Sequence, residues 1–292
     1  MKDFNGKVAV ITGAGSGIGR ALAVSLAKRG AHLAISDIDS ESVDATAQSC
    51  MELGARVRSY RLDVADRDAF YSHAVSVREE FGGVNLVVNN AGVALGAPVL
   101  DMQWQDFDWL MGINFGGVAN GTKAFLEDLI ASGDGHLVNI SSVFGLVGIP
   151  SQSAYNAAKF AVRGFTESLR QEMIIGGFPV GVTCVHPGGI KTNIVAHSRG
   201  TGTTDAERAQ AHQQFQKIAV TSPKGAAKAI IRGIEKNRPR VLIGPDARLF
   251  DAIPRVVGPR YEDVMARASK YSPRSAEMSG TPSPVAIAEA HV

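Results

Sequence analysis

Strand candidates recur along the chain at 8–11, 32–36, 57–62, 86–88, 136–140, 180–185 and 241–243, most of them short apolar runs without the alternation of a half-exposed strand. Runs of this kind fit strands covered by helices on both faces. Between them lie stretches of helical period, at 20–29, 40–53, 66–81, 103–130 and 153–174. Asp39-Ser40 and Asp66 stand where the second and third of these begin, and such side chains accept from the free amides of a first helical turn. Alternation of strand and helix with short connections predicts an α/β fold. Its core is a doubly wound, mostly parallel, seven-stranded sheet between two helical layers, with right-handed crossovers.

The pattern loosens after Pro187. Residues 193–222 are polar and rich in Gly and Thr before a helical stretch at about 205–219, which reads as a lid over a substrate. Residues 246–271 carry a further apolar pattern, a C-terminal helical extension. From 272 to 292 Ser, Pro, Ala and Glu dominate, which predicts a disordered tail. Residues 1–245 are then one domain with an integral substrate site.

Composition narrows the function. The 292 residues are 45% hydrophobic with a formal net charge of +2, and the basic residues are dispersed, which gives nucleic-acid binding no support. The seven histidines lack metal-ligand spacing, so no metal is expected. Cys50 and Cys184 are far apart, Cys184 within an apolar run, and both read as core side chains of a protein from a reducing, cytoplasmic compartment. No run reaches the length of a membrane span. The first apolar stretch leads straight into a glycine-rich turn, so no signal peptide is expected.

That turn, Thr12-Gly13-Ala14-Gly15-Ser16-Gly17-Ile18-Gly19, follows a strand and opens a helix. Glycines there let the backbone approach a pyrophosphate at the helix N-terminus. Gly13, Ser16, Gly17, Ile18 and Gly19 are the candidate contacts, although a glycine-rich turn alone also fits a purely structural role. Asp37, at the end of the second strand, stands about 20 residues on, where a carboxylate accepts from the adenosine ribose hydroxyls and repels a 2′-phosphate. No Arg or Lys occurs at 36–38, so NAD is expected over NADP, with Arg20 and Arg29 the cations still within range. Helix capping is the other use of Asp37, for which Asp39 or Ser40 serve better. Asp63-Val64 falls where an adenine would rest. Asn89-Asn90-Ala91-Gly92 lies at the carboxyl edge beside the switch point, and ordinary turn chemistry explains either segment as well.

Tyr155 and Lys159 are four apart and share one helix face. A free phenol, with a pKa of about 10, is a poor base near neutrality. A neighbouring ammonium and a cationic nicotinamide would lower it. Such a pair in isolation also fits a surface contact without a role. Ser141-Ser142, at the end of the preceding strand, puts hydroxyls on the same side of the sheet.

Thr12-Gly13-x-x-x-Gly17-Ile18-Gly19, Asp63, Asn89-Asn90-Ala91-Gly92, Asn114, Ser142, Tyr155-x-x-x-Lys159 and Pro187-Gly188 together resemble, in order, the motifs of the short-chain dehydrogenase/reductase family, over about residues 5–245. The resemblance implies a three-layer Rossmann fold and an NAD-linked oxidoreductase acting on an alcohol or ketone. Tyr155 is then the general acid/base. Lys159 lowers its pKa and binds the nicotinamide ribose, and Ser142 orients the substrate oxygen, leaving Ser141 structural. Asn114 interrupts its helix and holds a water that links the lysine to solvent. Ile190 and Thr192, after Pro187-Gly188, bind the nicotinamide carboxamide. Dimers or tetramers built from the helices of Asn114 and Tyr155 are implied as well.

Val143, Phe144, Leu146, Val147 and Ile149, with Val93 and Leu95, suggest a mainly apolar secondary alcohol or ketone, and core packing accounts for them equally well. Two other functions fit the same residues. One is a non-catalytic NAD-binding regulator; the other is an epimerase or dehydratase on the same scaffold.

Overall fold

The computed structural model describes residues 1–196, 198–200 and 204–269. The predicted tail at 272–292 and parts of the predicted lid at 193–222 lie outside the described residues. β1 (Val8–Thr12), β2 (His32–Asp37), β3 (Val57–Arg61) and β4 (Leu86–Asn89) come first, with α1 (Gly17–Ala27), α2 (Ser40–Met51) and α3 (Arg67–Phe81) between them. A two-residue strand β5 (Leu95–Gly96) precedes α4 (Trp104–Met111), a π-helical turn (Gly112–Gly116) and α5 (Gly117–Ala131). β6 (Gly135–Ile140), α6 (Ser153–Ile175) and β7 (Val180–Pro187) follow. After β8 (Arg199–Gly200) come α7 (Asp205–Ile218), α8 (Pro223–Glu235), β9 (Arg240–Ile243), α9 (Pro245–Val257) and α10 (Tyr261–Ser269).

Seven strands form one parallel sheet in the order β3-β2-β1-β4-β6-β7-β9, as the apolar runs predict. Side chains alternate across it. Ala9, Ile11, Leu33, Ile35, Val88 and Ile140 join the core under α1, α2 and α8. Val8, Val10, Ala34, Val87, Leu137 and Val182 join the one under α3, α5 and α6. Burial on both faces is why these strands read as continuous apolar runs. β1 is flanked by β2 and β4, so the strand order reverses beyond its carboxyl end, and a crevice opens there.

The helix predicted at 20–29 begins instead at Gly17 and stops at Ala27, and Lys28 and Arg29 belong to the turn closed by Gly30 at φ +78°. The stretch of helical period at 103–130 is interrupted at Asn114, as the resemblance implies: an i→i+5 turn at Gly112–Gly116 separates α4 from α5. Asn114, inside that turn, bonds the backbone of Val93 through both ends of its amide, and the extra residue of a π turn re-aims a side chain locally. Asp39 and Asp66 cap α2 and α3 by accepting from Ser42 N–H and Ala69 N–H.

By compactness the chain separates into residues Met1–Asp251 and residues from Ala252 on, a division that falls inside α9. Among the described residues no helix is long and apolar enough to cross a membrane, and no group of three or more His, Cys, Asp or Glu side chains is placed to hold a metal ion.

Candidate active site

α6 starts immediately after Gln152, and its first turns carry Tyr155 and Lys159 on one face beside the end of β6. Lys159 is 3% exposed. Its Nζ donates to the Ile140 carbonyl at 3.1 Å and lies 5.6 Å from the centre of the Tyr155 ring. Desolvation lowers its pKa to about 8. The Tyr155 ring meets Phe144 edge to face, at 5.8 Å between centroids. Burial pushes the phenol up to about 12, and a hydrogen bond from the Ser142 side chain opposes that rise. In the protein alone, then, desolvation outweighs the Ser142 hydrogen bond and leaves the phenol above its ordinary value, where the sequence predicts a depressed one.

Ser142 is held from three sides. Its Oγ caps a short 3-10 turn by accepting from Phe144 N–H at 3.2 Å, its carbonyl meets His186 Nδ1 at 2.9 Å, and its side chain reaches Tyr155. Ser141 turns the other way and donates to the Lys159 carbonyl at 2.8 Å, a packing role. Asn114 Oδ1 and Lys159 Nζ both crowd the space where a Cβ would stand on Gly92, at 3.0 and 3.5 Å. The π turn, the Gly92 backbone and the lysine therefore share one point.

The glycine turn is shaped by contacts that exclude side chains. A Cβ on Gly13, which has φ +63°, would fall 2.8 Å from the Ala91 Cα. One on Gly19 would collide with the Gly13 carbonyl. Asn90 Nδ2 donates to the carbonyls of Thr12 and Gly13 at 2.9 and 3.0 Å, and Thr12 Oγ1 accepts from the amides of Asn90 and Ala91. Ser16 precedes α1 without a side-chain cap and Ile18 is half-buried, so the first amides of α1 are not taken by a capping oxygen. Asp37 Oδ2 accepts from Gly15 N–H at 2.8 Å, which sets the carboxylate against the turn rather than on the cap of α2.

The two cations expected within range of a 2′-phosphate are engaged elsewhere. Arg20 bonds Thr46 Oγ1 and the Ser42 carbonyl, and Arg29 bonds the Ser25 carbonyl. Val64 is buried, with its carbonyl accepting from Asn120 Nδ2, and Asp63 is exposed beside it, bonded to Ala65 N–H. On the far side Pro187 ends β7, Gly188 N–H donates to the Ile243 carbonyl, and Ile190 pairs with Thr221. Thr192 Cγ2 lies 3.1 Å from a Cβ built on Gly17, so this turn meets the glycine turn. The predicted cofactor residues thus line one path along the carboxyl edge, and the glycine cradle with Asp37 at its end fits a dinucleotide.

Several positioning residues escaped the sequence reading. Asn156, the first of the three residues between Tyr155 and Lys159, accepts from Ile149 N–H and donates to the carbonyls of Phe144 and Val147. His186, which holds Ser142, and Asp246, which accepts from Gly189 N–H at 2.6 Å, are others. Of the predicted apolar lining, Val143, Leu146, Val147 and Leu95 are buried, whereas Val93, Phe144 and Ile149 keep exposed surface.

A parallel sheet of this order, with its glycine turn at the switch point and a Tyr/Lys/Ser group beside it, defines a Rossmann-type oxidoreductase. The short chain dehydrogenase family description matches residues 7–202, and the chain belongs to that family, whose members bind a nicotinamide cofactor. SadH of Mycobacterium tuberculosis, named only as an oxidoreductase, is 50% identical over 276 residues, 94% of this chain and 99% of that protein. EphD of the same species, also named an oxidoreductase, is 38% identical over 261 residues, 87% of this chain, and this chain spans 44% of its length. The rat estradiol 17-beta-dehydrogenase 11 is 31% identical over 268 residues, 91% of this chain and 85% of that protein. A crystal structure of a short chain dehydrogenase/reductase from Burkholderia phymatum in complex with NAD superposes with a TM-score of 0.80 at 32% identity, covering 91% of this chain and 97% of that one.

Proposed function

We propose that the chain is an NAD-dependent alcohol dehydrogenase or ketone reductase acting on a mainly apolar secondary alcohol or ketone. The observation that carries this reading is the Tyr155 hydroxyl bonded to Ser142, with the Lys159 ammonium buried one helical turn on. With its pKa pushed up to about 12, Tyr155 is protonated at neutral pH and is a proton donor to a ketone oxygen. Ser142 Oγ holds the same oxygen, so the substrate is gripped by two hydroxyls at one point. In the oxidative direction Tyr155 must accept the alcohol proton, and the Lys159 charge stabilises the phenolate that precedes it. Asn114 holds the water through which Lys159 exchanges protons with solvent. The nicotinamide, when bound, supplies or accepts the hydride.

The residues that would hold the dinucleotide are Gly13, Ser16, Gly17, Ile18 and Gly19 at the pyrophosphate, Asp37 at the ribose and Asp63-Val64 at the adenine. Asn90, Ala91, Gly92, Lys159, Pro187, Gly188, Ile190 and Thr192 serve the nicotinamide half. Asp37 favours NAD over NADP, and the engagement of Arg20 and Arg29 within their own neighbourhoods supports the same preference. Phe144, Val93 and Ile149 give the substrate side an apolar character, in keeping with the estradiol in the name of the rat relative. The protein is further read as a cytoplasmic homo-oligomer, dimer or tetramer.

Tyr155→Phe tests the reading, because it removes one oxygen and leaves the ring against Phe144. Turnover across a panel of secondary alcohols with NAD should fall by a factor of about 10³, within the range for a lost general acid/base, while NADH binding followed by fluorescence stays close to that of the wild type. A fully active variant would remove the central assignment.

A further inference from the structure

β7 and β9 run in parallel and pair through Pro187 and Ile243, so the residues that leave them lie side by side. Gly244 and Pro245 turn the chain into α9, whose first turn carries Asp246. An acid in a first turn ordinarily serves the helix dipole. Asp246 instead points across to the turn after β7, where its Oδ2 accepts from Gly189 N–H at 2.6 Å. That is short for an N–H···O bond, as expected where the acceptor is charged.

The glycines around it are cut to admit the carboxylate. A Cβ on Gly188 or on Gly244 would collide with it, and Gly244 has φ +101°, which side chains rarely adopt. The other oxygen, Oδ1, is buried and has no hydrogen-bond partner among the described residues. The rest of the turn is pinned as well. Gly188 N–H donates to Ile243, Thr221 N–H donates to Gly189, and Lys191 N–H donates to Thr221. Among the described residues, Asp246 is the side-chain acceptor for this backbone, directly before Ile190.

We infer that Asp246 is a positioning residue for the turn that receives the nicotinamide, fixing Gly188 and Gly189 so that Ile190 and Thr192 are presented in one geometry. This rests on the assignment of residues 187–192 to the nicotinamide under the proposed function. Asp246 acts through Gly189. A residue beyond β9, outside the part of the chain matched by the family, then contributes to cofactor affinity.

NADH binding by fluorescence titration, with KM and kcat for NAD, tests this in the full chain. Asp246→Ala should weaken NADH binding and raise the KM for NAD by about tenfold, the scale of one charge-assisted hydrogen bond, with kcat changed far less. Asp246→Asn keeps an acceptor oxygen and should stay within about threefold of the wild type. Gly188→Ala should weaken binding too, because its Cβ drives the carboxylate off Gly189, and adding it to Asp246→Ala should cost little more. NADH affinity unchanged in a folded Asp246→Ala, or fully additive effects of the two substitutions, would overturn the inference. If Asp246→Ala does not fold, the remaining pair decides: a tight Asp246→Asn with a weakened Gly188→Ala supports it, and equal affinities sink it. A wild-type protein that binds no NADH fails the nicotinamide assignment itself, which is a different result.

Discussion

The Lys159 ammonium donates to the carbonyl of Ile140, the last residue of β6 and two positions before Ser142. The bond ties the cation to the strand that delivers the serine, so under the proposed function the charge assigned to tune Tyr155 and the hydroxyl assigned to orient the substrate are held on one frame. Burial depresses Lys159 to about 8 and raises Tyr155 to about 12. Alcohol oxidation needs the deprotonated phenol and should therefore rise with pH, and ketone reduction needs the protonated phenol and should fall. Lys159→Ala removes the nearest positive charge, so the rising limb for oxidation should move to higher pH. At neutral pH kcat/KM should drop by about 10²-fold, and the deficit should shrink above about pH 8, where the wild-type lysine itself gives up its charge. Superimposable profiles for variant and wild type would show that the ammonium does not tune the phenol.

Asp37 accepts from Gly15 N–H and so joins the end of β2 to the glycine turn. Asp37→Ala should raise the KM for NAD by about tenfold, the loss of a charged acceptor for ribose hydroxyls. It should also raise the efficiency with NADP relative to NAD, since the repulsion toward a 2′-phosphate goes with the carboxylate. Steady-state kinetics with both cofactors check this. A wild-type preference for NADP would refute the role given to Asp37.

Asn156 holds the segment between Ser142 and α6 through three bonds, to Ile149, Phe144 and Val147. Asn156→Ala strands two carbonyls and one amide, at a cost of about 2–4 kcal/mol on the scale of buried unsatisfied groups. Thermal unfolding should show the destabilisation. kcat should fall as Phe144 and Ser142 lose their registration, with NADH affinity nearly unchanged. Loss of NADH binding in step with kcat would instead mean that the segment supports the cofactor.

Much of this was legible in the chain, and the remainder has a common physical cause. The strands could be read because sheet residues such as Val10, Ile11, Leu33 and Val87 are buried on alternate faces under helices, which leaves unbroken apolar runs. Tyr155, Lys159 and the glycine turn stand out as candidates because their spacing is local, whereas Ser142 is singled out over Ser141 only by the resemblance. His186 and Asp246 act across long separations, and Asn156 reaches back 7 to 12 residues into a segment without regular period. The bond from Asp246 to Gly189 spans 57 positions, and no local pattern marks it, because an acid in a first helical turn is ordinary. The break at Asn114 is implied by the resemblance and not by the local pattern. Helical period continues through 103–130, and only the tertiary pull of Val93 on the Asn114 amide shows where the extra residue sits.

His73 offers a test of the fold apart from catalysis. It lies in α3 against the rings of Tyr60, Phe70 and Phe125, with neither ring nitrogen hydrogen-bonded among the described residues. Burial lowers its pKa from 6.5 to about 4. The unfolded chain therefore binds the proton first as pH falls. The contribution of His73 is fully present above 6.5 and is lost between 6.5 and about 4, at up to about 1.4 kcal/mol per pH unit. His136, lowered to about 3, and His186, lowered to about 4, act in the same direction. His73→Leu should flatten the fall in melting temperature over this window while leaving NADH binding intact, since α3 carries none of the candidate site residues. An unchanged pH dependence of unfolding in the variant would mean that His73 is not held neutral in the folded protein.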